Sequence, residues 1–265
     1  MIAHMDAFHF DRLRPRTSNG GQVYQIGSAT WRLEIPAGPA GRYRLAQLDD
    51  YARLPRRSFP WQPPFRLSLR ARASAASIPG TWGFGLWNDP FQMSILSGNG
   101  LHGLPTFPDT AWFFFAAPPG YLSLQDDLPA QGWLAMSWRA PHHPTAWLAA
   151  ILPLTPLLLL PPSARWLRRL GRRLVSQASV GLTVDPCEWH TYCLEWQADG
   201  AMFRVDDITV LETDLAPASR LGLVLWVDNQ YAAWGADGRL RWGVLATPSI
   251  AWIEVAEIEG GAICW

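Results

Sequence analysis

The chain has 265 residues, 49% of them hydrophobic and 17% charged, so it can bury a sizeable core and is not a disordered protein. Its 22 basic residues, all arginine, balance 22 acidic ones, and with no net field to recruit nucleic acid none is expected as a partner. Three cysteines, Cys187, Cys193 and Cys264, without a C-x-x-C pair argue against a disulfide framework or a cysteine zinc site, and no metal or cofactor is expected.

The opening residues, MIAHMDAFHFDRLRPR, lack the basic-then-apolar pattern of a secretory signal, which predicts a cytoplasmic protein. Turn pairs then recur along the chain, at Asn19-Gly20, Pro79-Gly80, Asn99-Gly100, Pro119-Gly120, Asp199-Gly200 and Asp237-Gly238, with short apolar or alternating runs between them. Strands are predicted over Thr30–Ile35, Phe65–Ala73, Trp82–Trp87, Ala111–Ala116, Trp133–Trp138, His190–Trp196, Met202–Val205, Leu221–Val227 and Ile250–Ile258. In His190–Trp196 the period of two puts Tyr192, Leu194 and Trp196 on one face and Thr191, Cys193 and Glu195 on the other. Turns at Gln197–Gly200 and Asp206-Asp207 then predict a hairpin that returns through Ile208–Leu211. The class is all-β, a sandwich of two antiparallel sheets in a single domain spanning 1–265.

The stretch 141–176 departs from this plan and reads as an insertion, apolar and Pro-rich first, then Arg-rich. Its apolar part is short for a membrane span, and Pro153 and Pro156 interrupt it. From Ser163, a possible N-cap, the spacing predicts a helix with Trp166, Leu167, Leu170 and Leu174 on one side and Arg165, Arg168, Arg169, Arg172 and Arg173 on the other. Such a segment can serve as a lid over the sandwich, a partner interface, or a contact with an anionic membrane surface.

The run Trp189-His190-Thr191-Tyr192, followed by Glu195-Trp196, Asp199-Gly200, Phe203 and Val205-Asp206-Asp207, resembles the W-H-x-Y hairpin of glycoside hydrolase family 16 in the concanavalin A-like lectin/glucanase superfamily. Gly80-Thr81-Trp82 with Trp87 is similar to that family's G-x-W strand. Phe65–Ala73, with Arg70 or Arg72, is similar to its G-x-x-E-x-R strand, and Ala251–Val255 to its last strand. The resemblance implies a concanavalin A-like jelly roll with a ligand cleft on one sheet. It also implies an E-x-D-x-x-E strand between the G-x-W and W-H-x-Y segments, because retaining hydrolysis needs two carboxyls about 5 Å apart. The strand in that place reads Thr110-Ala111-Trp112-Phe113-Phe114-Phe115-Ala116 and holds no carboxylate. Glu212-Thr213-Asp214 starts like the signature but follows the hairpin and ends in Pro217.

If the cleft follows the family, Trp82 or Trp87, Trp112 or Phe113, and Trp226 are its candidate ligand-stacking residues, with packing between the sheets as the alternative for each. The polar ends Trp87-Asn88-Asp89 and Trp226-Val227-Asp228-Asn229 supply candidate hydrogen-bonding groups, Asn88, Asp89, Asp228 and Asn229. Asp89, Asp228 and His102 are the candidates for acid or base. His142 and His143 are adjacent and point apart, a poor metal site, and His190 belongs to the hairpin.

Three functions follow. The first is a protein that binds carbohydrate or an amphipathic small molecule without hydrolysing it. The second is an enzyme on an apolar or lipid-like substrate with 141–176 as lid. The third is a glycosidase with displaced carboxylates, which requires an acidic pair within about 10 Å across the cleft.

Overall fold

The computed structural model describes residues 12–27, 29–90, 106–141 and 160–262. In chain order the strands are β1 (Arg14–Ser18), β2 (Gln22–Gln25), β3 (Thr30–Ile35), β4 (Leu45–Asp49), β5 (Phe65–Ala73), β6 (Thr81–Trp87), β7 (Thr110–Ala116) and β8 (Gly132–Arg139). After helix α1 (Pro161–Leu174) come β9 (Ser176–Gly181), β10 (His190–Trp196), β11 (Ala201–Val205), β12 (Ile208–Thr213), β13 (Gly222–Asp228), β14 (Gln230–Trp234), β15 (Leu240–Val244) and β16 (Ala251–Ala262).

They form a jelly-roll sandwich. Sheet A runs β1-β4-β13-β6-β7-β8-β9, sheet B runs β12-β11-β10-β5-β16-β3-β2, and β14-β15 is a separate hairpin. Every strand pairing is antiparallel. Each predicted strand forms, three of them with the predicted bounds. Two that the sequence did not signal, β1 (RPRTS) and β9 (SQASVG), are polar edge strands. Their hydrogen bonds come from a single neighbour, and β1 tolerates Pro15 because its outer edge pairs with nothing in the sheet.

The main core lies between the sheets. Sheet A contributes Trp82, Phe84 and Leu86 from β6, Phe113 and Phe115 from β7, and Leu223 and Leu225 from β13. Sheet B answers with Leu67 and Leu69 from β5, Tyr192, Leu194 and Trp196 from β10, and Phe203 from β11. The face predicted for β10 is therefore the buried one. The hairpin turn follows the chemistry of its residues: Asp206 and Asp207 both take positive φ, 48° and 66°, the two left-handed positions of a type I′ turn. Asp206 Oδ1 then accepts the Thr191 N–H at 2.9 Å, and His190 Nδ1 lies 2.5 Å from Asp206 Oδ2, so His190 braces the hairpin.

Helix α1 departs from expectation in three ways. It starts at Pro161 rather than after a Ser163 cap, with proline at the first helical positions, where a missing N–H costs nothing. Its inner face is Ala164, Leu167 and Arg168, whereas Trp166, assigned to the apolar side, is 48% exposed beside Arg165 and Arg169. Arg168, expected on the solvated face, is 3% exposed. The register, not the side-chain type, decides this: positions 164, 167, 168 and 171 repeat at three and four residues and share one face. The run 142–159 lies outside the described residues. Among the described residues, no helix is long and apolar enough to cross a membrane.

Candidate functional site

Alternation along β6, β7 and β13 sends one set of side chains into the core and the other onto the outer face of sheet A. Cross-strand register aligns the outward set: Trp226 lies opposite Gly83 and Gly83 opposite Phe114, while Val224, Gly85 and Trp112 form the next row. The two glycines are what make room. A Cβ on Gly83 would lie 3.0 Å from the Trp226 ring, and one on Gly85 2.6 Å from Trp112 Cβ, so the indoles spread over a bare stretch of β6.

The result is an aromatic box. Trp87 and Trp226 are parallel at 6.2 Å between ring centroids, Trp112 stacks on Phe114 at 5.2 Å, and Trp112 tilts against Trp226 at 5.4 Å. One end of the box is polar. Trp226 Nε1 donates to Thr81 Oγ1 at 3.0 Å, Thr81 Oγ1 donates to Asp228 Oδ1 at 2.9 Å, and the Tyr43 hydroxyl donates to Asp228 Oδ2 at 3.3 Å. Burial pushes the Asp228 carboxyl up to about 7, against the lowering effect of Thr81, Gln230 and Tyr43 donors. The Tyr43 phenol is pushed up as well, first by burial and then by the charge of Asp228.

A roof closes the box. Leu122, Tyr231 and Ala232 complete its lining, and the Tyr121 N–H donates to Ala232 O at 2.9 Å, joining the two roof segments. Helix α1 grips the same segments: Arg168 Nε donates to Trp234 O at 2.9 Å and Nη2 to Ser123 O at 3.3 Å, with Asp126 Oδ1 2.7 Å away. Arg172 joins Asp126 Oδ2 at 3.0 Å, so it too belongs to this clamp. The cavity is about 90 Å³ and partly open to solvent, below the roughly 300–1,000 Å³ of small-molecule sites.

Of the sequence candidates, Trp87, Trp112, Trp226 and Asp228 meet in this box. Trp82 and Phe113 do not: both lie in the core between the sheets, because they occupy the alternate positions of β6 and β7. Asn229 is a strut, its Oδ1 accepting Arg44 N at 2.7 Å and its Nδ2 donating to Arg42 O and Leu245 O. Asn88 and Asp89 sit at the far end of β6 and form its exit turn, Asp89 with φ of 46°. His102 lies outside the described residues, as do His142 and His143. Phe114, Tyr43 and Thr81 are the members that sequence reasoning missed. Phe114 was within reach of it, two residues from Trp112 on the same face.

Among the described residues, no acidic pair spans the box. β7 lies between β6 and β8 and presents Trp112 and Phe114, not carboxylates, to the pocket. Asp49 shares the outer face with Asp228, but register places Asp49 opposite Val224, four residues from Asp228, roughly 13 Å along the strand. Asp49 is moreover engaged by Gln47 Nε2 at 2.7 Å and Ala52 N at 2.8 Å. Asp50 is tied to Trp61 Nε1 at 2.6 Å and Leu223 N at 2.9 Å, and burial pushes it up to about 7. Glu212 lies on β12, the edge of the other sheet.

Fold and site together define a jelly-roll sandwich of two antiparallel sheets with an aromatic pocket on the outer face of one sheet. No protein-family model matches the chain, and no curated protein does. Solved structures similar to it include an immunostimulatory antigen and pseudo beta-1,3-glucanase of Mycobacterium tuberculosis, 13% identical, TM-score 0.45, over 91% of this chain and 78% of that one. A glycosyl hydrolase family 16 protein from Mycobacterium smegmatis is 11% identical, TM-score 0.42, over 98% and 88%. A sialidase is 8% identical, TM-score 0.45, over 98% of this chain, which spans 18% of the sialidase's length.

Proposed function

We propose that the protein binds a small ligand with one flat apolar face and at least one hydroxyl, a sugar ring or a comparable amphipathic molecule, and does not hydrolyse glycosides by a carboxylate pair. The observation that carries this reading is β7: it offers Trp112 and Phe114 to the pocket in place of acids. Indole faces take the apolar side of the ligand, and Asp228, with Thr81 and Tyr43 behind it, takes the hydroxyl. Trp112 Nε1 is buried without a hydrogen-bond partner among the described residues, a donor that a ligand oxygen would satisfy. The small cavity requires the roof at Leu122 and Tyr231 to lift on entry.

Tryptophan fluorescence titration tests this. Saturable change with β-glucan oligosaccharides or with a long-chain alcohol, reduced about tenfold in Trp226→Ala, is the expected outcome and identifies the ligand arm. Release of reducing sugar from any β-glucan, or no saturable change with either probe, overturns the reading.

The clamp of Arg168 on both roof segments favours a second reading, in which 141–176 is the lid of an enzyme acting on an apolar or lipid-like substrate. The outward face of α1, Trp166 with Arg165, Arg169 and Arg173, is then the surface that meets an anionic membrane.

A further inference from the structure

Past the far end of β6 lies a second cavity, about 370 Å³, on which the aromatic pocket does not draw. Its base is locked. Asn88 Nδ2 donates to Phe107 O at 2.9 Å, and the Asp109 carboxylate accepts the N–H groups of Ala140 at 3.1 Å, Ala218 at 3.0 Å and Ser219 at 2.7 Å. Three arginines, Arg56, Arg57 and Arg220, line the space. Two of them are held in place by main-chain carbonyls. Arg220 Nε donates to Phe59 O at 2.6 Å and Nη2 to Pro60 O at 3.1 Å, while Arg56 Nε donates to Asn88 O at 2.9 Å and Nη2 to Asp89 O at 2.6 Å.

Carbonyls orient a guanidinium without neutralising it. Asp109 is the carboxylate among the described lining residues, and its charge is already shared by three main-chain N–H groups; Asp89 offsets part of Arg56 from behind. The cavity therefore carries an excess of positive charge, with two of its three guanidiniums held in a fixed orientation, and guanidinium groups recognise planar or tetrahedral oxyanions. A second observation points the same way: Ser219 Oγ, at the cavity wall, is buried with no hydrogen-bond partner among the described residues.

We propose that this cavity binds an oxyanion, carried either by an acidic sugar or by a free inorganic ion, between Arg57, Arg220 and Ser219. Calorimetric titration of the full chain at low ionic strength with inorganic sulfate and, separately, with glucuronate tests it. Saturable binding of sulfate alone identifies a free inorganic oxyanion, and binding of glucuronate as well identifies a carboxylate-bearing sugar. Arg220→Gln lowers the affinity roughly tenfold, the loss of one charge-assisted contact. Because Arg220 also holds a loop, Arg57→Gln, which breaks none of the loop bonds above, is the second variant, with an expected loss of about threefold. No saturable binding of either probe, or unchanged affinity in both variants, overturns the proposal.

Discussion

The two outer faces of this sandwich solve opposite problems. On sheet B, β5 alternates strictly between buried and half-buried residues, and its outward side is a polar ladder in which Glu254, 1% exposed, pairs with Arg72 Nε at 2.8 Å and with Arg32. Those guanidiniums lie over indoles, Arg32 4.5 Å from the Trp252 ring and Arg72 5.0 Å from Trp189. On sheet A, every residue of β6, β7 and β13 is buried, because the roof and α1 cover the face that would otherwise meet water. One face closes itself with charge and the other with added chain. The second holds the aromatic pocket.

The largest expected effect breaks that contrast by energy. Phe114→Ala, on an outer face, should cost about 3–4 kcal/mol in urea unfolding, as a core truncation does, since its ring is 2% exposed and stacked on Trp112. Glu254→Ala on the opposite face should cost about 2 kcal/mol, because its arginine partners keep solvent access and their stacking on Trp252. Equal and small losses for both would mean that the face of sheet A is solvated after all.

The contrast sharpens with pH. Asp228 sits in the covered face and is raised from 3.8 to about 7, so between these values the folded state binds a proton that the unfolded chain has lost. Its stabilising contribution is therefore present below about pH 4 and lost as pH rises through about 7; from pH 5 to pH 8 Asp228 alone removes about 2–3 kcal/mol. Asp50, also raised to about 7, acts in the same direction. Asp228→Asn keeps an acceptor for Thr81 and mimics the neutral acid, so it should match the parent at pH 5 and exceed it at pH 8. Parallel denaturation curves at the two pH values would remove Asp228 from the buried end of the pocket.

The same contrast explains how much was legible. Where one face meets water, as in β5 and β10, apolar residues alternate with polar ones and the sequence displays both bounds and orientation. In TWGFGLW and TAWFFFA both faces are buried, the period of two vanishes, and Trp82 cannot be told from Trp87 or Trp112 from Phe113 without knowing what covers the strand. Gly83 and Gly85 carried the missing clue, because bare positions at a spacing of two mark the face that receives large rings from its neighbours. Arg168 was misplaced for a related reason: an arginine in a run of arginines reads as solvated, while its burial depends on carbonyls of Ser123 and Trp234 supplied by distant segments. The strut role of Asn229 depends likewise on the carbonyls of Arg42 and Leu245, which no local pattern announces.

The smallest expected effect lies on α1, the element that covers sheet A while turning its own far side to solvent. Trp166 is 48% exposed there, between Arg165 and Arg169, so Trp166→Ser should change unfolding free energy by no more than about 0.5 kcal/mol. On the reading in which α1 meets a membrane, that indole is the side chain that would touch it. In vesicles of phosphatidylglycerol mixed with phosphatidylcholine, the parent should co-sediment and Trp166→Ser should lose several-fold in partition, with Arg169→Gln weakening it further as salt screening would. A parent that ignores such vesicles leaves α1 as clamp alone, since Arg168 fastens the roof whether or not the opposite face has a surface to touch.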